Sequence, residues 1–497
     1  MIILLKMSTL FHNLLKSSRR FPRRPLFHMD NGNTITYNSF LNSVHNASCY
    51  LNSRNVQKGD RIMIIGTNSP KWATLAYAAW KCGAVIVPTY PSQQRHIKQH
   101  IANETKPRLI FHEDYQRLTD DTEEIRYPNV PLCANHFTPQ HIDYDDHDMA
   151  CILYTSGTSG LPKGVRLTHN NIMSNLLSVE RATVSNAVSE YDRYVSFLPW
   201  DHCYGLNCEL NYIIMKGAST HIVQDLTKIR DDFQKYNPTV LCSVPKLFYM
   251  IHKNTQVMQY APSFMNSFIK GRIFGNSIRF ATSGGSATDP VLIDHFTKMG
   301  LDIYTGYGTT ETSPMISLNT PDHNVKGSVG KVLDCNTVKL VEGEIHVRGS
   351  NLTSGYLGGP DDSFVSIDNK EWYNTGDKGY IKDDYMFITG RSKEQYKLSN
   401  GIFVNPVDIE QKLLTIPEIE QVMVYPDPSN KQNEAIIVTN SSYDTIKNKM
   451  LNIAHLIRAF EYPQKLIITK DPFTVANGSL TQKQSLIRKN ILDMYRR

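Results

Sequence analysis

Between Asp60 and Pro91 the pattern of apolar and polar positions changes period twice: DRIMIIG (60–66) reads as a strand, SPKWATLAYAAWKCG (69–83) as a helix, and AVIVPTYP (84–91) as a second strand. Short apolar runs flanking a helical stretch make a βαβ unit. Further strand-like runs follow at RLIFH (108–112), MACILYTSG (149–157), RYVSFLPW (193–200), STHIVQ (219–224), TVLCSVP (239–245), IRFATSGG (278–285) and LDIYTGYG (301–308). Several end in Gly, Ser or Thr, where open α/β sheets place their ligands. After about Gly330 the texture shifts to short strands with turns, VKLVEGEIHVRGS and GYIKDDYMFITG, which predicts a small β-rich subdomain. From Arg391 strands (QVMVYP, EAIIVT) alternate with helices (PVDIEQKLLTI, TIKNKMLNIAHLIRAF), and no internal repeat or low-complexity tract interrupts them.

The expected fold class is therefore α/β. Two α/β subdomains and the β-rich piece form a large N-terminal domain, 1–390, followed by a small α+β domain, 391–497. A length of 497 residues agrees, since one domain ordinarily takes ~100–200 residues.

Composition narrows the class. At 40% hydrophobic and 20% charged the chain is globular in type, and its longest apolar runs fall far short of the ~20 residues that span a bilayer. The net charge of +6 comes from 53 basic and 47 acidic residues mixed along the chain, which suits an anionic ligand and leaves open peripheral contact with anionic lipid, but is no nucleic-acid signature. The eight cysteines are scattered without CxxC or zinc spacing, as free thiols in a reducing compartment would be. Residues 1–29 carry six basic and no acidic residues, like a transit peptide, yet they run directly into the turn Asn31-Gly32-Asn33 and the strand-like TITY. A cytoplasmic enzyme is expected, with mitochondrial or peripheral membrane location the alternatives. Oligomeric state is not legible.

The chemistry concentrates in Tyr154-Thr-Ser-Gly-Thr-Ser-Gly-Leu-Pro-Lys-Gly-Val165. Gly157 and Gly160 let backbone N–H groups approach phosphate oxygens, Thr155, Ser156, Thr158 and Ser159 add donors, and Lys163 adds charge. The spacing is not GxxxxGK[ST], because Pro162 stands five after Gly157 and Gly164 follows the lysine. Gly306 and Gly308 likewise miss a dinucleotide fingerprint, whose last glycine is replaced by Glu311.

This loop resembles the signature loop of the adenylate-forming superfamily, and six more motifs follow in the family's order: LPWDHCYG (198–205), SVPKLF (243–248), SGGSA (283–287), GYGTTETSP (306–314), YNTGDKGY (373–380) and GRSKEQYKLSNGIFVNPVDIE (390–410). The resemblance implies ATP, Mg²⁺ and a carboxylic acid as reactants, with CoA as the acceptor. It gives Glu311 to Mg²⁺, Thr310 to the α-phosphate, and Lys163 and the loop to the β- and γ-phosphates. Tyr307, with Gly308 and Thr309 beside it, would stack near adenine opposite Gly284, Gly285 and Ser286. Asp377 and Arg391 would hold the ribose, Lys393 would be the hinge, and Lys397 to Gly401 would line the pantetheine channel.

A catalytic lysine is expected near the C-terminus, where NGSLTQKQSLIRKN (477–490) departs from the family's usual Gly-Lys. Lys483 is the first candidate, with Arg488 and Lys489 the alternatives. LPWDHCYGLNCELNYIIMKGAS and the hinge motif resemble the long-chain fatty acyl-CoA synthetase branch, which would put Trp200 and His202 near the acyl entrance; core packing plus a helix cap is the other reading of those two. Acyl-AMP ligases, amino- or aryl-acid activation, and a non-catalytic adenylate binder are the competing functions.

Overall fold

The computed structural model describes residues 9–114, 117–119, 121–126, 145–155, 161–184, 188–255, 263–359, 361–474, 476–480 and 486–495. Strand Arg61–Ile65 shows how the chain builds its layers: Ile62 and Ile64 join the central core, while Met63 and Ile65 join a second core on the opposite face. Successive side chains of a strand point to opposite faces, so a continuous apolar run is a strand buried on both.

This strand lies in a six-stranded sheet in the order Glu123–Arg126, Leu109–His112, Arg61–Ile65, Val85–Thr89, Met149–Thr155 and Lys163–Thr168. Neighbours are parallel except the last two, which form an antiparallel hairpin with Thr155 opposite Lys163. A second layer begins with strands Thr34–Thr36, Pro25–His28, Ser219–Ile222 and Arg193–Ser196. Thr239 N then donates to Arg193 O at 2.9 Å, joining it to the edge of Val240–Ser243, Phe280–Ser283 and Asp302–Gly308. Helices Tyr37–Ser53 and Pro70–Lys81 fill the space between the sheets, and Tyr37, Trp72, Tyr77 and Trp80 are buried there.

Between Lys331 and Arg391 the strands are antiparallel. Asn336–Val341 pairs with Glu344–Gly349 and Lys370–Lys382 with Tyr385–Arg391, around a small core of Ile316, Ile345, Val347 and Met386. From Tyr396 onward a three-stranded sheet (Gln421–Pro426, Asn433–Val438, Lys465–Thr469) has helices packed against it and cores of its own. The architecture is α/β, a large N-terminal domain followed by a smaller C-terminal one.

Three elements differ from expectation. The strand expected over 193–200 stops at Ser196, because Asn68 takes the next peptides: its Nδ2 donates to Leu198 O at 2.7 Å and its Oδ1 accepts from Trp200 N at 2.9 Å. The helix expected over TIKNKMLNIAHLIRAF ends at Asn452, since only Ile446 and Met450 on it are buried, while Leu451 and Leu456 face solvent. The basic N-terminal stretch holds an unforeseen helix, Leu10–Arg20, which buries Leu10, Phe11 and Leu14 and turns Arg19 and Arg20 outward. Among the described residues no helix is long and apolar enough to cross a membrane.

Candidate active site

Strand Asp302–Gly308 ends beside the turn Thr310–Thr312, and both are pressed against the following segment. A Cβ on Gly308 would stand 1.7 Å from Pro314 O, so no side chain fits between these two backbones. That contact sets where Tyr307 and Glu311 point. Tyr307 donates its hydroxyl proton to Asp377 Oδ2 at 2.7 Å, across to strand Lys370–Lys382. On the next strand Arg391 is the cross-strand partner of Asp377, with its Nε 3.3 Å from Oδ1. Asp377 is 6% exposed, and burial raises its pKa against the pull of Arg391 and Tyr307. Burial and the Asp377 charge in turn push the Tyr307 hydroxyl well above its usual range. The triplet is a buried acceptor, a phenol and a guanidinium, suited to a ligand with paired hydroxyls.

Glu311 is also buried, at 7% exposure, and its Oε1 accepts from the Tyr356 hydroxyl at 2.9 Å. Its other oxygen takes no hydrogen bond from any described residue. Tyr356 is held by the hairpin of strands Met149–Thr155 and Lys163–Thr168: it bridges Val165, Leu357 N donates to Gly164 O at 2.7 Å, and Arg166 N donates to Gly355 O at 3.2 Å. On the outer side of the Tyr356 ring lies Lys163, its Nζ 5.5 Å from the centroid and ion-paired with Asp361. Burial opposes ionisation of Asp361, but hydrogen bonds from Lys163 and Ser363 bring it down to about 2. Lys163, Tyr356 and Glu311 thus form one wall, with a buried carboxylate positioned to receive a hard cation and a lysine at the rim. Thr155 and Lys163 face each other across the hairpin, while Ser156, Gly157, Thr158, Ser159 and Gly160 lie outside the described residues.

Burial, Glu311 and Tyr356 all push Tyr373 well up, and Glu311 contributes to the rise at Asp377, so the two clusters feel each other. Thr309 and Thr310 connect them. Gly284 is buried beside the Tyr204 ring, and Gly285 and Ser286 are exposed at the end of strand Phe280–Ser283.

Trp200 and His202 are split. Trp200 is 1% exposed and packs on Trp72 with ring centroids 5.5 Å apart, deep in the central core, whereas His202 is half-buried in the loop before the π-helix Gly205–Asn211. That π-helix buries Asn207, Glu209 and Asn211; Glu209 accepts from Leu198 N at 3.1 Å, and burial holds its carboxyl well above the usual range.

Lys393 is exposed in the turn between strand Tyr385–Arg391 and the hairpin Tyr396–Lys397/Phe403–Val404. Lys397 and Lys378 flank the exposed Phe403 ring at 5.5 and 5.6 Å, and Gly401 turns the hairpin at φ +87°. Lys483 lies outside the described residues. Of its alternatives, Lys489 is exposed, whereas Arg488 makes a two-point ion pair with buried Glu410 (2.6 and 2.9 Å) and donates to Val424 O at 3.2 Å. That makes Arg488 a packing residue of the C-terminal domain.

Tyr356 and Asp361 escape sequence reasoning. They sit in SGYLGGPDD, whose glycines and acids read as an ordinary loop, and only the pairing with strand Lys163–Thr168 brings them to the site.

A family model described as "AMP-binding enzyme" matches residues 14–357. Among curated proteins, the long-chain-fatty-acid–CoA ligase 1 of Cavia porcellus is 25% identical over 88% of this chain and 77% of its own length. The 4-coumarate–CoA ligase 1 of Petroselinum crispum is 28% identical over 84% and 82%. Among solved structures, an anthranilate–CoA ligase in complex with anthranoyl-AMP superposes with a TM-score of 0.81 at 18% identity, covering 99% of this chain and 98% of that one.

Proposed function

Because the chain belongs to the AMP-binding enzyme family, we propose that it is an AMP-forming acid–CoA ligase. It would activate a carboxylic acid with ATP to an acyl-adenylate and pyrophosphate, then transfer the acyl group to the CoA thiol. The observation that carries this reading is the convergence of Glu311 with its Tyr356 hydrogen bond, Lys163 at the rim, and the Tyr307–Asp377–Arg391 triplet.

The first step brings a carboxylate against a phosphate, so the protein must relieve repulsion between anions and hold the two in line. Asp377 accepts from the ribose hydroxyls, with Arg391 beside the same sugar and Tyr307 along the base. Glu311 fits Mg²⁺, being a buried carboxylate with one oxygen oriented by Tyr356 and the other open to a ligand; the ion would supply positive charge at the phosphates. Lys163 trades Asp361 for the departing pyrophosphate, and Thr310 donates to the α-phosphate. A lysine of the C-terminal segment, Lys483 first, completes the charge there. For the second step the domain after the Lys393 turn rotates, and the hairpin from Lys397 to Gly401 lines the path of the pantetheine thiol.

For the acid we propose a long-chain fatty acid, supported by the motif LPWDHCYGLNCELNYIIMKGAS and by relatives such as the Cavia ligase. The 4-coumarate ligase, at comparable identity, keeps an aryl acid as the second reading. A panel of acids in ATP–pyrophosphate exchange, each run with and without CoA, decides both points. Palmitate-type acids should drive exchange and yield thioester only with CoA. Preference for coumarate or an amino acid would overturn the fatty-acid assignment, and exchange without any thioester would overturn the CoA step.

A further inference from the structure

Outside the residues of this site, on the sheet face that carries Val195 into a core with Phe233 and Phe248, His221 presents an arrangement that the proposed chemistry does not use. Its side chain is 3% exposed, and its ring lies flat on Tyr236, centroids 3.7 Å apart and planes 10° from parallel. Nδ1 is 3.1 Å from the backbone oxygen of His28. A carbonyl oxygen only accepts, so Nδ1 carries the proton and Nε2 of the neutral ring is left with its lone pair.

That lone pair faces two carboxylates: Asp232 Oδ1 at 3.5 Å and Asp30 Oδ1 at 3.8 Å, all three atoms lying within 4.8 Å of one another. These separations are long for a hydrogen bond, whose heavy atoms ordinarily stand ~2.7–3.2 Å apart. They approach the roughly 3.4 Å between donor atoms around a tetrahedral ion with ~2.0–2.1 Å bonds. A histidine whose other nitrogen is tied to a backbone carbonyl is also the usual setting of a metal ligand, because that bond fixes tautomer and ring.

We propose that Asp30, His221 and Asp232 bind a divalent transition-metal ion of the zinc type, separate from the Mg²⁺ of the reaction. The ion pins the hairpin turn after strand Pro25–His28 to helix Ile229–Tyr236. Three independent pieces of chain meet there, and neighbouring bonds already hold the ligands: the Tyr236 hydroxyl donates to Asp30 Oδ1 at 3.3 Å, and Lys235 Nζ donates to Asp30 O at 2.9 Å. Lys235 Nζ also stands 3.9 Å from Asp30 Oδ1 and is half-exposed, so the metal competes with a mobile cation for one ligand only.

The test uses tag-free full-length protein titrated with Co²⁺ and followed by visible absorption, with Zn²⁺ as competitor and thermal melting in parallel. Expected are one saturable absorbing site displaced by Zn²⁺, a Zn²⁺-dependent rise in Tm, and at least ~10-fold weaker binding in Asp232→Asn and in Asp30→Asn. Both variants should keep acid-dependent pyrophosphate exchange, and Glu311→Gln should keep the Co²⁺ band. No band, or one that both asparagine variants retain, overturns the proposal. Because a variant can fail by misfolding, ring ¹⁵N shifts of His221 in the unmodified protein give a second reading: a Zn²⁺-induced shift at Nε2 supports the site, and protonation of Nε2 unaffected by Zn²⁺ refutes it.

Discussion

Glu311 and Asp377 each depend on a tyrosine, and the two tyrosines lead to different expectations. If Glu311 holds Mg²⁺ as proposed, Glu311→Gln should lower acid-dependent pyrophosphate release about 100-fold or more, with the loss smaller at high Mg²⁺. Tyr356→Phe removes only the hydroxyl that orients Glu311, and a decrease of about 10-fold, expressed as a raised Mg²⁺ requirement, is expected from single-turnover assays. Tyr307→Phe leaves buried Asp377 without its 2.7 Å donor. A lost hydrogen bond to a buried charged group costs about 1–3 kcal/mol, so kcat/KM for ATP should drop ~5- to 150-fold while the acid's KM is unchanged. Glu311, Asp377, Arg391 and Lys163 stand out in the sequence through the resemblance of their motifs to the adenylate-forming superfamily. Tyr356 and Asp361 were not, because a residue in an aperiodic loop acquires its neighbours only when the loop lies down along a strand.

At the level of elements, the strands and the helix between Asp60 and Pro91 form where their apolar periods put them, since each buries the face its pattern marks. The N-terminal helix was hidden by its charges, yet its docking makes a pH prediction. Leu10 N donates to Nδ1 of His169 at 3.3 Å, at the start of helix His169–Ala182, and burial lowers this histidine to about 3. An unfolded histidine titrates near ~6.5. Below that pH the unfolded chain takes up a proton that the folded one refuses, so this group costs stability as pH falls from ~6.5 to about 3, on the order of 1.4 kcal/mol per unit. Denaturant midpoints from pH 7 to 5 should decline accordingly, and His169→Gln, which keeps an acceptor but does not titrate, should flatten the slope. Gly308→Ala makes a steric counterpart: with Pro314 O 1.7 Å from the added carbon, the backbone must move, lowering stability by about 3 kcal/mol and abolishing exchange, as thermal melts and the same assay would show.

For the whole molecule the question is how the small domain sits on the large one. Gln411 Nε2 donates to Ala287 O at 3.1 Å, and Lys253 Nζ donates to Ile419 O, so helix Pro406–Leu414 rests beside the Gly284–Ser286 segment. Within the small domain Arg488 neutralises Glu410, and removing one partner of a buried pair typically costs ~3–5 kcal/mol. Arg488→Ala should therefore unfold this domain and remove both half-reactions together, whereas Lys483→Ala should impair adenylation and spare thioester formation from supplied acyl-AMP. Comparing the two variants in separate half-reaction assays, with limited proteolysis of the small domain, checks the distinction. The sequence by itself determined the α/β class and the order of the motifs that carry the family resemblance, because periodicity and motif order are local properties of the chain. Only the tertiary structure decided that Trp200 packs in the core, that Arg488 is spent on Glu410, that Tyr356 orients Glu311, and that Asp30, His221 and Asp232 converge. Each of those follows from pairing between segments far apart in the chain, and distance in space is not written in the order of residues.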